Sequence, residues 1–114
     1  MGGIVSMMSY VGQLVGGIKV VKLFKKWGVS NFDETMHAAC RSGEIEIVKL
    51  CKKWGANNYD RAMCLAAAGG QADIVKLCMK WGARDFDKAM NWASGNSYTD
   101  IIELCEKWKD KHSQ

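Results

Sequence analysis

The sequence predicts an all-α protein built as a solenoid of stacked helical hairpins, and three observations carry this prediction. Tryptophan recurs at a constant interval along the chain, at Trp27, Trp54, Trp81 and Trp108. This 27-residue period lies in the range of about 20 to 50 that is typical of solenoids. The chain has 12 glycines and no proline, which favours helices that end at glycine. Apolar residues within each repeat also follow helical spacing.

Size and composition indicate one soluble domain over residues 1–114. The chain is 48% apolar and 25% charged, which is ordinary for a globular protein and excludes a wholly disordered one. A net charge of +4 is mild and does not by itself indicate nucleic acid. Five cysteines without a CxxC pair, and only two histidines, do not favour a disulfide framework or a metal module. We therefore expect a cytoplasmic protein without metal or cofactor.

Three clear repeats appear when the chain is shifted by one such interval, namely 32–58, 59–85 and 86–112. Residues 5–31 form a fourth, degenerate copy that keeps the pattern only in its second half. Terminal repeats of a solenoid face water on one side and are expected to be atypical. We therefore interpret residues 5–31 as a capping repeat.

Each unit begins with a predicted helix whose start is marked by capping residues. Before the second unit, Asn57 or Asn58 is expected to cap this helix, and Asp60 in its first turn suits the positive end of the helix dipole. In the last unit, Ser97 with Asp100 resembles a capping box at the start of the second helix. These signals predict where the helices begin.

Glycine is predicted to end both helices of a unit. Gly69 and Gly70 are expected to take the left-handed conformation after the first helix. The second helix is predicted to start near Asp73 and to stop at Gly82. Its apolar stripe has the spacing of an amphipathic helix and contains Ile74, Leu77, Cys78 and Trp81.

The repeated letters also resemble a known family. Residues 47–56 read IVKLCKKWGA, residues 74–83 read IVKLCMKWGA, and a DxAMxxAAxxG helix precedes the second of these. This helix pair resembles the ankyrin repeat, and most closely the ankyrin-like repeats of large DNA viruses, including the multigene-family proteins of African swine fever virus. The resemblance implies a non-enzymatic protein that binds host proteins and interferes with host defence.

The unit departs from standard ankyrin repeats in two ways. It is a 27-residue unit, whereas the ankyrin unit has about 33, and it lacks the TPLHxA signature. The missing residues are those of the β-hairpin finger between helix pairs. Binding through finger tips is therefore not expected.

The repeated tryptophans and cysteines are predicted to lie in the core, because they share a helix face with isoleucine and leucine. Trp81→Ala should then cost about 3–5 kcal/mol, as for a buried aromatic residue. Cys51, Cys78 and Cys105 are expected to act as small apolar residues, since helices about 8–10 Å apart do not favour disulfides.

The first helices carry positions that differ between units, and we predict that these face solvent and select a protein partner. Leu65 and Trp92 are expected to be outward-facing neighbours that form an apolar hot spot. Trp92 is the tryptophan outside the repeat register, and simple packing at an edge is its alternative interpretation. The predicted partner-binding residues are Glu34, His37, Arg41, Arg61, Cys64, Leu65, Lys88, Asn91 and Trp92.

Stacking of the second helices is predicted to align lysines in two rows, one with Lys22, Lys49 and Lys76 and one with Lys26, Lys53 and Lys80. A solvated face that suits the helix dipole explains these rows most simply. The alternative function is binding to an anionic surface, nucleic acid or membrane, with steep dependence on salt.

The segment from Met1 to Ile18 carries no charged side chain. Serines, glycines and the lack of a preceding basic region do not favour a spanning helix or signal peptide. The start MGGIVS matches the N-myristoylation pattern through Gly2, although short patterns also arise by chance. Membrane contact is expected only through such lipidation or through this hydrophobic segment, and dimerisation through the N-terminal cap stays open.

No nucleophile, base and orienting group recur at a catalytic spacing. The sequence therefore predicts a protein-interaction scaffold and not an enzyme. A host protein is the partner that the family resemblance implies, while nucleic acid is not favoured.

Overall fold

The computed structural model describes residues 17–28 and 31–112, and no β-strand occurs in these ranges. The seven helices are α1 (Gly17–Lys26), α2 (Asp33–Ser42), α3 (Ile45–Lys53), α4 (Tyr59–Ala68), α5 (Ala72–Lys80), α6 (Phe86–Gly95) and α7 (Thr99–His112). The prediction of an all-α protein is confirmed. None of these helices combines the length and the apolar character needed to cross a bilayer.

The helices pack as consecutive pairs, α2 with α3, α4 with α5, and α6 with α7. The first helices α2, α4 and α6 also pack closely against one another, whereas contacts between second helices are sparser. Small buried side chains such as Ala39, Ala66 and Ala93 allow this close approach. A Cβ atom added at Gly69 would lie 2.2 Å from the Arg41 carbonyl oxygen. The row of first helices is therefore the dense side of the molecule.

The core is one continuous cluster, and many of its residues recur from unit to unit. Met36 and Met63 come from the first helices and are fully buried. The second helices contribute isoleucine, valine and cysteine, and the repeated isoleucines are Ile47, Ile74 and Ile101. Each pair alone would expose these side chains, so packing on the next pair is what buries them.

The turn inside each pair needs a residue in the left-handed conformation. Gly43 and Gly70 have φ angles of +83° and +73°, and Ser97 takes the same place in the third unit with φ +61°. The expectation for Gly69 is wrong, because its φ is −89°. The capping-box interpretation of Ser97 with Asp100 is also wrong: Ser97 follows α6, and α7 begins only at Thr99. Each of these three units has a residue with left-handed backbone conformation at this position of the turn. Ser97 takes that conformation and therefore does not act as the N-cap of α7.

Aspartate in the first turn of a unit binds the loop that precedes the next unit. Asp60 Oδ1 accepts hydrogen bonds from the backbone N–H groups of Arg84 (2.8 Å) and Asp85 (3.0 Å). The equivalent Asp33 accepts from the N–H groups of Asn57 (2.9 Å) and Asn58 (3.1 Å). The Asn58 side chain in turn caps α4. These aspartates link units, a role beyond the predicted favourable position at the helix dipole.

The repeated tryptophans lie at the ends of the second helices and are less buried than predicted. Trp54 and Trp81 follow the last helical residue and are half-buried. The Trp81 ring packs on Tyr59 with centroids 5.5 Å apart, and Lys52 Nζ from the preceding unit lies 5.3 Å from its centre. Trp27 is 69% exposed. A position on the rim of the stack, where the helix has already ended, keeps these rings from full burial.

The last helix runs past the point where the other second helices stop. Gly55 and Gly82 have φ angles of +104° and +113°, a region that an L side chain rarely adopts. Lys109 stands in their place, so α7 continues and has 14 residues against nine in α3 and α5. Asp87 therefore meets no following loop and pairs with Lys109 Nζ at 2.6 Å.

All five cysteines are free and buried. Burial raises the pKa of Cys51 to about 12 and that of Cys105 to about 11. These thiols stay neutral and fill space in the core, which confirms the prediction for the cysteine column. The neighbouring Cys78 thiol, together with burial, raises the pKa of Cys40 well above its ordinary value. Sequence reasoning missed this pair because Cys40 does not recur in the other units.

Candidate protein-binding face

The candidate site is the outer face of α2, α4 and α6, built from the third, seventh and tenth residues of each unit. These positions are three or four residues apart and share one side of a helix. All nine are exposed or half-exposed. They are Glu34, Ala38, Arg41, Arg61, Leu65, Ala68, Lys88, Trp92 and Gly95.

The sixth position of the unit does not belong to this face, so the prediction that His37 and Cys64 contact a partner is wrong. His37 is 5% exposed and Cys64 is 1% exposed. This position lies on the side of the first helix that the following unit covers, because the first helices pack closely together. Asn91 occupies the same position in the last unit and is exposed. It remains a candidate contact residue.

Trp92 is the largest apolar side chain of the face. It is half-buried and packs against the core with part of its ring. Lys88, one helical turn earlier, places Nζ 6.0 Å from the ring centre. The Asn96 side chain donates to the Trp92 carbonyl oxygen at 3.1 Å. These contacts hold the indole on α6 while the rest of the ring faces outward.

Leu65 occupies the same repeat position on α4 as Trp92 does on α6. Both side chains are half-exposed, and the two helices pack along each other. Axes of packed helices are about 8–10 Å apart, so one partner residue can reach both side chains. The predicted apolar pair therefore lies on one face, although each side chain is only partly outward.

A cavity of about 240 Å³ opens between the N-terminal ends of α4 and α6. Its walls carry both charge signs and are formed by Asn58, Asp60, Arg61, Cys64, Asp85 and Lys88. Burial raises the pKa of the Cys64 thiol to about 11, so this sulfur is a neutral group at pH 7. The cavity suits a polar or charged side chain of a partner, and it holds no activated nucleophile.

His37 fills the equivalent place between the first and second units. Neither ring nitrogen has a hydrogen-bond partner of good geometry. Burial lowers the pKa of His37, and this effect outweighs the opposing influence of the Asn58 backbone and of nearby Glu34 and Asp33. His37 is therefore a neutral packing residue at pH 7.

The two lysine rows lie on the surface of the second helices. All six predicted residues are exposed, namely Lys22, Lys26, Lys49, Lys53, Lys76 and Lys80. Lys25 and Lys52 do not belong to these rows; their ammonium groups approach Trp54 and Trp81 of the following units, at 5.4 Å and 5.3 Å. Some lysines of these helices thus contact a tryptophan of the next unit, whereas those of the two rows face solvent.

Two predictions fall outside the part of the chain that the structure describes. Gly2, the predicted lipidation site, and the first half of the capping repeat both lie within residues 1–16. They stay predictions from sequence.

Comparison of the chain with protein-family models, with curated proteins and with solved structures finds no match.

Proposed function

We propose that this protein is a non-enzymatic interaction module, an ankyrin-like solenoid that binds a protein partner through the outer face of its first helices. Support for the solenoid comes from contacts that recur at the repeat interval. Asp33 and Asp60 bind equivalent loops, and Trp54 and Trp81 each receive a lysine from the preceding unit. The aspartate contact therefore joins the first unit to the second and the second to the third, and the lysine contact joins the capping repeat to the first unit and the first unit to the second.

One observation carries the functional proposal. On the first helices, positions that repeat faithfully are buried or hold the units together, whereas the exposed positions change from unit to unit. Glu34, Arg61 and Lys88 illustrate this, because one repeat position carries an acid, then a guanidinium, then an ammonium group. Packing does not dictate these side chains, so they are available for the choice of a partner.

The chemistry of the face suggests which partner surface it fits. Leu65 and Trp92 supply an apolar centre, and Arg41, Arg61 and Lys88 surround it with exposed cations. Buried aromatic residues and arginine are the side chains that contribute most to protein interfaces. We propose a partner that inserts an apolar side chain flanked by acidic residues. The viral family resemblance extends this proposal to a host protein, and the five free cysteines fit a cytoplasmic location.

Site-specific photo-crosslinking tests this proposal. A benzophenone amino acid is placed at Leu65 or Lys88 on the first helices and, as matched controls, at exposed Lys49 or Lys76 on the second helices. We expect the first two positions to crosslink one discrete protein from host cytosol and the control positions to give none. Crosslinks that arise only from positions 49 and 76 would contradict the proposed face.

The exposure of all six predicted lysines favours a second candidate function, contact with an anionic surface. This function uses the opposite side of each helix pair and is compatible with the first. Steep loss of binding with salt would distinguish it, because each lysine that meets a phosphate releases a counterion.

A further inference from the structure

The net charge of the protein is concentrated in the segment that precedes Asp33. This segment contains Lys19, Lys22, Lys25 and Lys26 and no acidic residue, whereas the chain from Asp33 onward contains 12 basic and 12 acidic residues. All four of these lysines lie on α1. The formal charge of +4 is therefore the charge of one ten-residue helix.

The second helices form a charge gradient that starts at α1. Helix α1 has four lysines and no acid, α3 has three lysines and one acid, and α5 has two lysines and one acid. Helix α7 has three lysines and four acids. An anionic surface would therefore attract the α1 end of the molecule and not the α7 end.

Helix α1 also exposes apolar side chains. Leu23 is 39% exposed, and Trp27, which directly follows the helix, is 69% exposed. Lys19, Lys22 and Lys26 are exposed at helical spacing beside them. The opposite side of the helix is fixed, because Val21 and Phe24 are buried in the core: they are 0% and 3% exposed.

This combination fits the interface of an anionic bilayer. A basic amphipathic helix lies in the headgroup region, with leucine and aromatic side chains directed into it and lysines near anionic lipids. Tryptophan is enriched at this depth. Nucleic acid would also attract the lysines. An aliphatic side chain such as Leu23, however, neither stacks on bases as an aromatic ring does nor binds phosphate.

We propose that α1 docks the protein on anionic lipid bilayers through Leu23, the adjacent Trp27 and the lysines beside them, Lys19, Lys22 and Lys26, which develops the second candidate function. The remaining units then extend away from the bilayer along the charge gradient. Trp92 belongs to the last unit, at the far end from α1, so docking leaves the protein-binding face free. The docking does not depend on that face and needs no acyl chain.

Vesicle co-sedimentation of the full chain, produced without an N-myristoyltransferase, tests the inference. Vesicles of phosphatidylcholine are compared with vesicles that contain one quarter phosphatidylserine, at low and at physiological salt. We expect binding only to the second kind, and weaker binding as salt rises. Removal of two α1 charges in K22Q/K26Q should weaken binding about 25-fold, because each lysine near the surface contributes about fivefold.

The matched control is K76Q/K80Q, which removes two lysines from the equivalent positions on α5. This variant should change vesicle affinity less than about threefold, because charges beyond the Debye length of about 8 Å are screened. The variant L23S/W27S keeps every charge and should weaken binding roughly tenfold through the loss of apolar contact. These side chains are exposed, and circular dichroism and urea unfolding check that each variant folds.

Three results would overturn the inference: no binding to phosphatidylserine vesicles, equal binding to uncharged vesicles, or equal loss in the two double-lysine variants. Tighter binding to a short RNA that depends on Lys22 and Lys26 but not on Leu23 and Trp27 would instead assign the surface to nucleic acid. Crosslinking from positions 65 and 88 does not depend on any of these results, so a failure of vesicle binding is separate from a failure of the protein-binding face.

Discussion

At the scale of single residues, one carboxylate joins each unit to the next. Asp60 accepts two backbone N–H groups from the loop before the third unit, and Asp33 does the same one unit earlier. Hydrogen bonds to a charged group are the stronger kind. Both carboxylates are near the surface. If a mutation removes one of them, water can therefore form hydrogen bonds with the backbone N–H groups that it had bound.

Replacing Asp60 should destabilise the protein, and Asp87 provides a matched control. Asp60→Ala leaves two loop N–H groups to water and should lower the free energy of unfolding by about 1 kcal/mol. Asp87→Ala removes only an ion pair with exposed Lys109, which should cost less than about 0.5 kcal/mol. Urea unfolding of both variants measures the difference, and equal losses would show that loop contacts contribute nothing.

His37 makes the stability of the protein sensitive to mild acid. Burial lowers its pKa below the ordinary value of 6.5, and Asp33, Glu34 and Arg61 are the charged groups around it. The folded state thus binds its proton less readily than the unfolded state. The neutral imidazole is fully compatible with folding above pH 6.5, and stability falls as the pH drops below that value.

The variant His37→Met should remove this part of the acid sensitivity. Between pH 7.5 and 5.0, the wild type should lose more stability than His37→Met, by up to about 1.4 kcal/mol for each pH unit below the unfolded pKa. Exposed His112 serves as the comparison: its pKa is also lowered, by partial desolvation and by nearby Arg84 and Lys111, but its ring is at the surface, so His112→Gln should change the profile less than His37→Met. Parallel profiles for wild type and His37→Met in chemical unfolding would contradict this role.

At the scale of elements, the ends of α3 and α5 carry an aromatic contact within their unit and a lysine contact from the preceding unit. Trp54 packs on Phe32, Trp81 packs on Tyr59, and each indole lies beneath a lysine of the preceding unit. A cation over an indole contributes about 0.5–1 kcal/mol at exposed sites. These surface contacts at the helix ends therefore stabilise the packing of the units in addition to the buried core.

Trp81→Ala should cost about 2 kcal/mol, less than the 3–5 kcal/mol expected of a fully buried ring. The reason is its half-buried position on the rim. Trp27→Ala, at a ring that is 69% exposed, should change stability by less than about 0.5 kcal/mol. Thermal or urea unfolding measures both, and similar losses for the two variants would contradict the difference in burial.

Most helices could be predicted from the sequence because the signals that define them, a terminating glycine and an apolar stripe, involve residues close together in the chain. The second helix was expected to start near Asp73 and starts at Ala72, one residue away. The long α7 was not predicted, although its signal is visible: Lys109 replaces the glycine that ends α3 and α5. The role of Asp60 could not be predicted from local rules, because its partners lie 24 and 25 residues further along the chain.

At the scale of the whole molecule, the proposed solenoid has a dense side of first helices and a more open side of second helices. Each unit completes the core of its neighbours, so stability should grow as units are added. In the third unit Asp87 pairs with Lys109, and Asn91 is exposed where His37 and Cys64 are buried in the earlier units.

Duplicating the second unit should give a folded and more stable protein. A second copy of residues 59–85 inserted after position 85 repeats the contact of Asp60 with the following loop and the close packing of the first helices. We expect a higher urea midpoint and a larger dependence of the unfolding free energy on urea, because more surface is buried. The control inserts residues 60–85, one residue short, and should lose stability. Equal behaviour of the two insertions would contradict stacking at a fixed interval.

The exposure of the candidate face was predicted in part. Glu34, Arg61 and Lys88 are exposed as predicted, because they lie opposite the repeated apolar stripe of the first helix, and their contact with a partner stays a prediction. The predicted exposure of His37 and Cys64 was wrong. The repeat pattern distinguishes the buried face of a helix from its exposed face, but it does not show which side of the helix the next unit covers. The concentration of positive charge on α1 can be found from the sequence by counting charged residues, but the exposure of Trp27 could not be predicted from the sequence.

The central claim is that the varied half of each unit selects a protein and the repeated half stacks. The affinity of Trp92→Ala for the crosslinked partner, measured by calorimetry beside K49A/K76A, tests it most directly. We predict a loss of about 30-fold or more for Trp92→Ala, as for an interface hot spot, with less than twofold change in the control and little dependence on salt. Unchanged affinity for Trp92→Ala, together with a large loss in K49A/K76A and steep salt dependence, would contradict the claim.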